Sequence, residues 1–218
     1  MQTLLIPERD IFTPSAQTLF VFCGYHGGQE PRTNIFWRIA RRLRLTAVSD
    51  NARRIRDYHA NPRSLDYMLG VAGEFRAANK VTGPVYAMID KSFAAAGAPP
   101  PDAPFAAAPE LFDFSDDDAI RRGLERYAIK PAAIVLLYAD AIGLGCARLE
   151  DAALSEAPEV IIINGRRRAF GLDREARRAL ALRRFLSNWR FMELFFAGAF
   201  LIVAAVCSVI DATQSKKA

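Results

Sequence analysis

Cysteine is scarce in this chain. Cys23, Cys146 and Cys207 are the three in 218 residues, and no two stand at a CxxC spacing. That excludes a cysteine-built zinc site or a disulfide framework and fits a reducing compartment. Catalytic signatures are missing too. No serine sits in a GxSxG elbow, so an ordinary α/β-hydrolase nucleophile is absent. The N-terminal MQTLLIPERD carries neither a basic n-region nor a long apolar h-region, so no secretory signal is expected. There is no internal repeat, and one stretch alone is apolar enough to cross a bilayer.

That stretch is Leu194 to Ile210, seventeen residues without a charge. Extended back to Phe191, a helix rising roughly 1.5 Å per residue covers about 30 Å, one hydrocarbon thickness. Ala132 to Leu144 is shorter and contains Asp140, so it reads as a buried strand and turn instead. Arginine precedes the apolar run and no basic excess follows it, which predicts a cytoplasmic N-terminal domain on the inner membrane. The net charge of +5 is uneven: arginines crowd Arg32 to Arg63 and Arg166 to Arg190, while Asp113 to Asp118 is acidic.

Half of the chain is hydrophobic, enough for a packed core. Thr18 to Cys23 (TLFVFC) reads as a buried strand, followed by the glycine loop Gly24-Tyr25-His26-Gly27-Gly28 and a helix over Thr33 to Leu43. With a second strand at Leu45 to Val48, this is the spacing of a βαβ unit. Ala52 to Ala96 reads as mostly helical, broken at Asn61-Pro62 and Gly83-Pro84. Ser115 opens a helix through Tyr127, Ala132 to Tyr138 is a strong strand, and Cys146 to Leu154 is helical. Val160 to Ile163 is another strand. Asn164-Gly165 favours a two-residue type I′ turn into a hairpin over Arg166 to Phe170, or else ends a central strand. A last helix runs from Asp173 to Trp189.

The expected fold is α/β: a small, mostly parallel, Rossmann-like sheet flanked by helices, plus one C-terminal transmembrane helix. The expected organisation has an N-terminal βαβ half with a helical extension (1–96) and an Ala/Pro-rich linker (97–109). A second α/β half (110–172), a basic juxtamembrane helix (173–190), the transmembrane helix (191–210) and a short tail (211–218) follow.

Four constellations carry candidate chemistry. In the first, Gly24, Gly27 and Gly28 let backbone approach an anion, with Arg32 adding charge. Asp50 stands where a ribose-binding carboxylate sits in dinucleotide folds. The spacing is GxxGG rather than GxGxxG, so the dinucleotide fingerprint itself is absent. His26 is a candidate general base. In the second, Asp140 follows a buried strand and precedes Gly143 and Gly145, the position of ligand contacts in open α/β sheets. Asp140 is the leading catalytic candidate, as base or hydroxyl acceptor; its plain alternative is a helix cap or turn former. In the third, Asp113 to Asp118 resembles metal-holding Asp-x-Asp spacing. A capping box of Ser115 with Asp118 accounts for it better, and no metal ligand is assigned. The fourth is the arginine field Arg166, Arg167, Arg168, Arg174, Arg177, Arg178, Arg183, Arg184 and Arg190. Beside a membrane span it reads as contact with anionic headgroups, ahead of intramolecular pairing and, last, nucleic acid.

These readings lead to an enzyme of envelope or exopolysaccharide assembly, glycosyltransferase-like, moving sugar from a nucleotide-sugar donor to a lipid-linked acceptor. The sequence names no cofactor. A non-catalytic, membrane-anchored partner or scaffold of another membrane enzyme is the alternative from a different class. An α/β-hydrolase-like enzyme using His26-Gly27-Gly28 without a GxSxG elbow is the third.

Overall fold

The computed structural model describes residues 11–25, 63–96, 105–113, 116, 118–187, 202–203 and 206–207. Six strands form one sheet: β1 (Thr18–Cys23), β2 (Val85–Asp90), β3 (Glu110–Phe112), β4 (Ala133–Tyr138), β5 (Glu159–Ile163) and β6 (Ala169–Gly171). Their order is β3-β2-β1-β4-β5-β6. All neighbours are parallel except β5 and β6, which run antiparallel. The helices are α1 (Leu65–Ala78), α2 (Ala119–Tyr127), α3 (Ala147–Glu156) and α4 (Arg174–Ser187). The chain divides into two units, Met1–Arg178 and Ala179–Ala218.

The mixed α/β, mostly parallel sheet is as the sequence predicts, and β1, β4 and β5 are the apolar runs it marks. Every residue of β1 and of β4 is buried. That is the expected signature of parallel strands covered on both faces. On one face Phe20, Phe22, Ala87, Ile89, Val135, Leu137, Ile161 and Ile163 pack against Met68, Ala72 and Phe75 of α1. Phe75 is edge-to-face with Phe20 and Phe12, at 6.2 and 5.8 Å between centroids. Strand alternation turns Met88 and Tyr138 to the other face. There Met88 packs at Gly123 of α2, and Tyr138 reaches Glu150 of α3.

Three expectations need correction. Within Ala52 to Ala96, Leu65–Ala78 is helical, capped by the Ser64 hydroxyl accepting from Tyr67 N. Val85–Asp90, however, is a strand beside β1 and not helix. Gly83-Pro84 and the turn at Lys91 bound it to six residues, too short for a helix but enough to pair fully. Part of the Ala/Pro-rich linker is structured: Phe105 packs on Phe22, and Ala106 N donates to Val85 O at 2.7 Å. These contacts lead the chain into β3. Finally, α2 starts at Ala119 with Asp118 at its cap, later than the start expected near 115. The Asp116 carboxylate accepts from Asp118 N and pairs with Arg122, which spends that acidic cluster locally.

The chain leaves β5 through Asn164 to Arg168 before β6 returns antiparallel, a longer connection than the two-residue turn. The left-handed position is Arg167 (φ 59°). The strand expected at Leu45 to Val48, the helix before it, Ser115 and most of residues 191–210 lie outside the described residues. Among the described residues, no helix is long and apolar enough to cross a membrane. Ile202, Val203, Val206 and Cys207 are helical and exposed.

Candidate functional site

Five strands point the same way, so their carboxyl ends share one edge. The register aligns Cys23 with Tyr138 across β1 and β4, and Phe22 with Ile89 across β1 and β2. Chain direction across the sheet reverses between β1 and β4: sequence-successive strands spread to one side as β2 and β3, and to the other as β5 and β6. In open α/β sheets such a reversal is where ligand-binding crevices form. Gly24 follows β1 and Asp140 follows β4. Two of the sequence-derived sites therefore meet at this edge, where Ala139 N donates to Cys23 O at 3.1 Å.

Asp140 is buried, 4% exposed. Its Oδ1 accepts from the backbone N–H of Ile142 at 2.9 Å and from that of Gly143, and its Oδ2 accepts from Leu144 N at 2.9 Å. A carboxylate receiving three N–H bonds from its own loop is the loop's organiser. Gly143 (φ 63°) and Gly145 (φ 88°) take the left-handed turns this wrapping requires, and a Cβ on Gly143 meets the Tyr138 ring. Both glycines thus answer to backbone geometry. Gly24 has a similar local cause: a Cβ there meets the Ser92 hydroxyl and comes within 2.9 Å of Asp90 Oδ2. His26, Gly27, Gly28, Arg32 and Asp50 lie outside the described residues.

Sequence reasoning missed Asp90, which is 1% exposed at the end of β2. Its Oδ2 accepts from Gly24 N at 3.1 Å and its Oδ1 from Ser92 N at 2.8 Å, so it fixes the first residue of the glycine loop. The signal was available. An acid closes the apolar run VYAMI just as Asp140 follows AIVLLY, once the run is taken as a strand.

Arg63, Asn164 and Gly165 complete the edge. Gly165 N donates to Asp140 O at 2.7 Å, and its carbonyl accepts from Arg63 Nε at 3.3 Å and Tyr67 Oη at 3.5 Å. A Cβ on Gly165 would stand 2.7 Å from Ala139 O, which accounts for the glycine. Asn164 Nδ2 donates to Ala141 O at 3.1 Å, while its Oδ1 accepts from Arg166 N and Arg168 N at 3.1 and 3.0 Å. One side chain thereby joins the loops after β4 and β5.

Beneath the edge, on the α3 side, lies a buried polar group. Tyr138 Oη donates to Glu150 Oε1, and Cys23 lies beside Cys146. Burial pushes the Cys23 thiol well above its ordinary range, reinforced by Cys146 and by the carboxylates of Asp90 and Glu150. A thiol so held is protonated at neutral pH and is no nucleophile. Burial likewise raises the Tyr138 phenol, with Cys146 and Glu150 adding to it. Among the described residues no three His, Cys, Asp or Glu side chains converge as a metal site.

Helices on both faces and the order β3-β2-β1-β4-β5-β6 make this a doubly wound, Rossmann-like α/β protein. No family model, curated protein or solved structure matches the chain.

Proposed function

We propose that this protein binds a nucleotide-class ligand in the crevice between the carboxyl ends of β1 and β4, and uses it as a sugar donor for a lipid-linked acceptor at the membrane's inner face. The observation that carries the proposal is the reversal of strand order where the Gly24 and Asp140 loops leave the sheet. In open α/β sheets ligands bind at this kind of point. The apolar run Leu194 to Ile210, behind its arginine-rich approach, supplies the membrane anchor in this reading.

Roles divide accordingly. The Gly24 to Gly28 loop and Arg32 receive the diphosphate, with Asp50 on the ribose. Asp140 shapes the facing loop through its three backbone bonds, so its contribution is positional. Deprotonation of the acceptor hydroxyl then falls to His26. Those same bonds favour a second reading. Asp90 accepts from the backbone of Gly24 and Ser92 and Asp140 from that of its own loop, which suits a non-catalytic scaffold that holds a partner enzyme.

Thermal unfolding of the full-length protein in detergent, against a panel of nucleotides and nucleotide sugars, separates the two. A donor site raises the melting point by roughly a few degrees at saturating ligand. No rise with any of them, together with co-purification of a membrane enzyme, favours the scaffold. Release of the full-length chain by alkaline carbonate washing removes the membrane anchor from the scheme.

A further inference from the structure

Two residues before α1 stands an arginine whose side chain is already oriented. Arg63 N donates to Ala139 O at 2.8 Å, pinning the start of α1 over the end of β4. Its Nε donates to Gly165 O at 3.3 Å, and the guanidinium carbon stands 5.1 Å from the centre of the Tyr67 ring. One N–H and one face are thus used to aim the group. Among the described residues no carboxylate pairs with it, leaving the two Nη groups, the fork that grips phosphate oxygens bidentately.

The chain treats the neighbouring arginines selectively. Arg167 is paired with Glu74 of α1. Arg166 and Arg168 on either side are exposed and have no carboxylate partner among the described residues, and their backbones are clamped by Asn164. Gly165 joins all of this to the crevice, because its N–H bonds Asp140 O and its carbonyl holds Arg63. A cationic group fixed by a backbone carbonyl and an aromatic ring loses little side-chain freedom when an anion arrives.

We propose that Arg63, assisted by Arg166 and Arg168, holds the phosphate groups of the ligand bound at this edge. The inference rests on the nucleotide-class reading above and adds to it the residues that select phosphate. Sequence reasoning assigned Arg166 and Arg168 to lipid headgroups and gave Arg63 no role; the anchoring to Gly165 ties them instead to the carboxyl edge of β4 and β5.

The test uses the full-length protein in detergent, with uridine diphosphate and inorganic pyrophosphate as probes in calorimetric titrations. Arg63→Gln should weaken both by about tenfold or more, Arg63→Lys should recover part of the loss, and Arg166→Gln with Arg168→Gln should weaken both less. Arg121→Gln, whose parent residue is paired with Asp118 and Glu125 on α2, is the charge control and should bind as the native protein does. Melting curves of both Arg63 variants verify folding. Native-like binding by Arg63→Gln overturns the inference and leaves the nucleotide reading intact. No binding of either probe by the native protein withdraws both. Sedimentation with phosphatidylglycerol vesicles distinguishes the source of phosphate. Loss of vesicle binding in Arg63→Gln, with both soluble probes still bound natively, assigns the arginines to lipid and overturns the proposal.

Discussion

On the face of the sheet that α1 covers, Phe20, Phe22, Ile89, Val135, Leu137 and Ile163 meet Met68 and Phe75, and Phe20 stands edge-to-face with Phe75. On the face that α2 and α3 cover, the same strands bring Cys23, Asp90 and Tyr138 to the carboxyl ends, with Glu150 beside them. Both faces are equally closed to water. They differ in what a single deletion removes: packing contacts on one, and partners of buried polar groups on the other. The apolar face fixes the sheet. The polar face, at its carboxyl end, fixes the loops whose positions define the proposed site.

Breaking the apolar face should have the largest effect. Phe75 is 0% exposed and touches two aromatic rings, so Phe75→Ala should cost about 3–5 kcal/mol in denaturant unfolding. The loop side should respond less in stability and more in function. Asp140→Ala removes a charged acceptor from three backbone N–H groups and should cost about 1.5–3 kcal/mol. Hydrogen exchange at Ile142 to Leu144 should quicken while Phe20 and Val135 keep their protection. Equal loss across the whole sheet would erase the contrast between loops and core.

Tyr127 sharpens the comparison through pH. Its hydroxyl reaches Ala87 O at 2.6 Å and Ala108 O at 3.0 Å and accepts from Glu110 N at 2.8 Å, tying β3 and the preceding segment to β2. Burial, partly opposed by the Glu110 bond, raises this phenol from 10 to about 12. The unfolded chain therefore loses the proton first. The stability Tyr127 contributes is intact below pH 10 and disappears as pH climbs from 10 towards 12. Tyr127→Phe should flatten part of that alkaline slope in melting-point measurements. The smallest effect belongs to Thr18, whose buried hydroxyl has no partner among the described residues. Thr18→Val should stabilise by up to about 1 kcal/mol, because it removes a desolvated polar group without changing shape.

Legibility in the sequence followed length and apolar density. TLFVFC, AIVLLY and VIII were plain because each is a run of buried residues between turn signals. VYAMID was hidden by the alanine-rich helical stretch before it and the alanine-rich turn after it. The three-residue strands β3 and β6 are too short for any period to show. At the site, Asp140, Gly143 and Gly145 were visible as residue types, yet the direction of their bonds was not. Whether a carboxylate faces a ligand or its own backbone depends on loop dihedrals, which spacing does not encode. Arg63 was invisible for a related reason: its role comes from Gly165, distant in sequence and joined only by folding.

Hydrogen exchange of the full-length protein with and without saturating uridine diphosphate tests the central claim most directly. The account predicts added protection at Gly24 and Tyr25, at Ile142 to Leu144 and around Gly165, all at the carboxyl edge of β1, β4 and β5. Bound nucleotide that protects only α4 or the amino ends of the strands, leaving those loops unchanged, would contradict it.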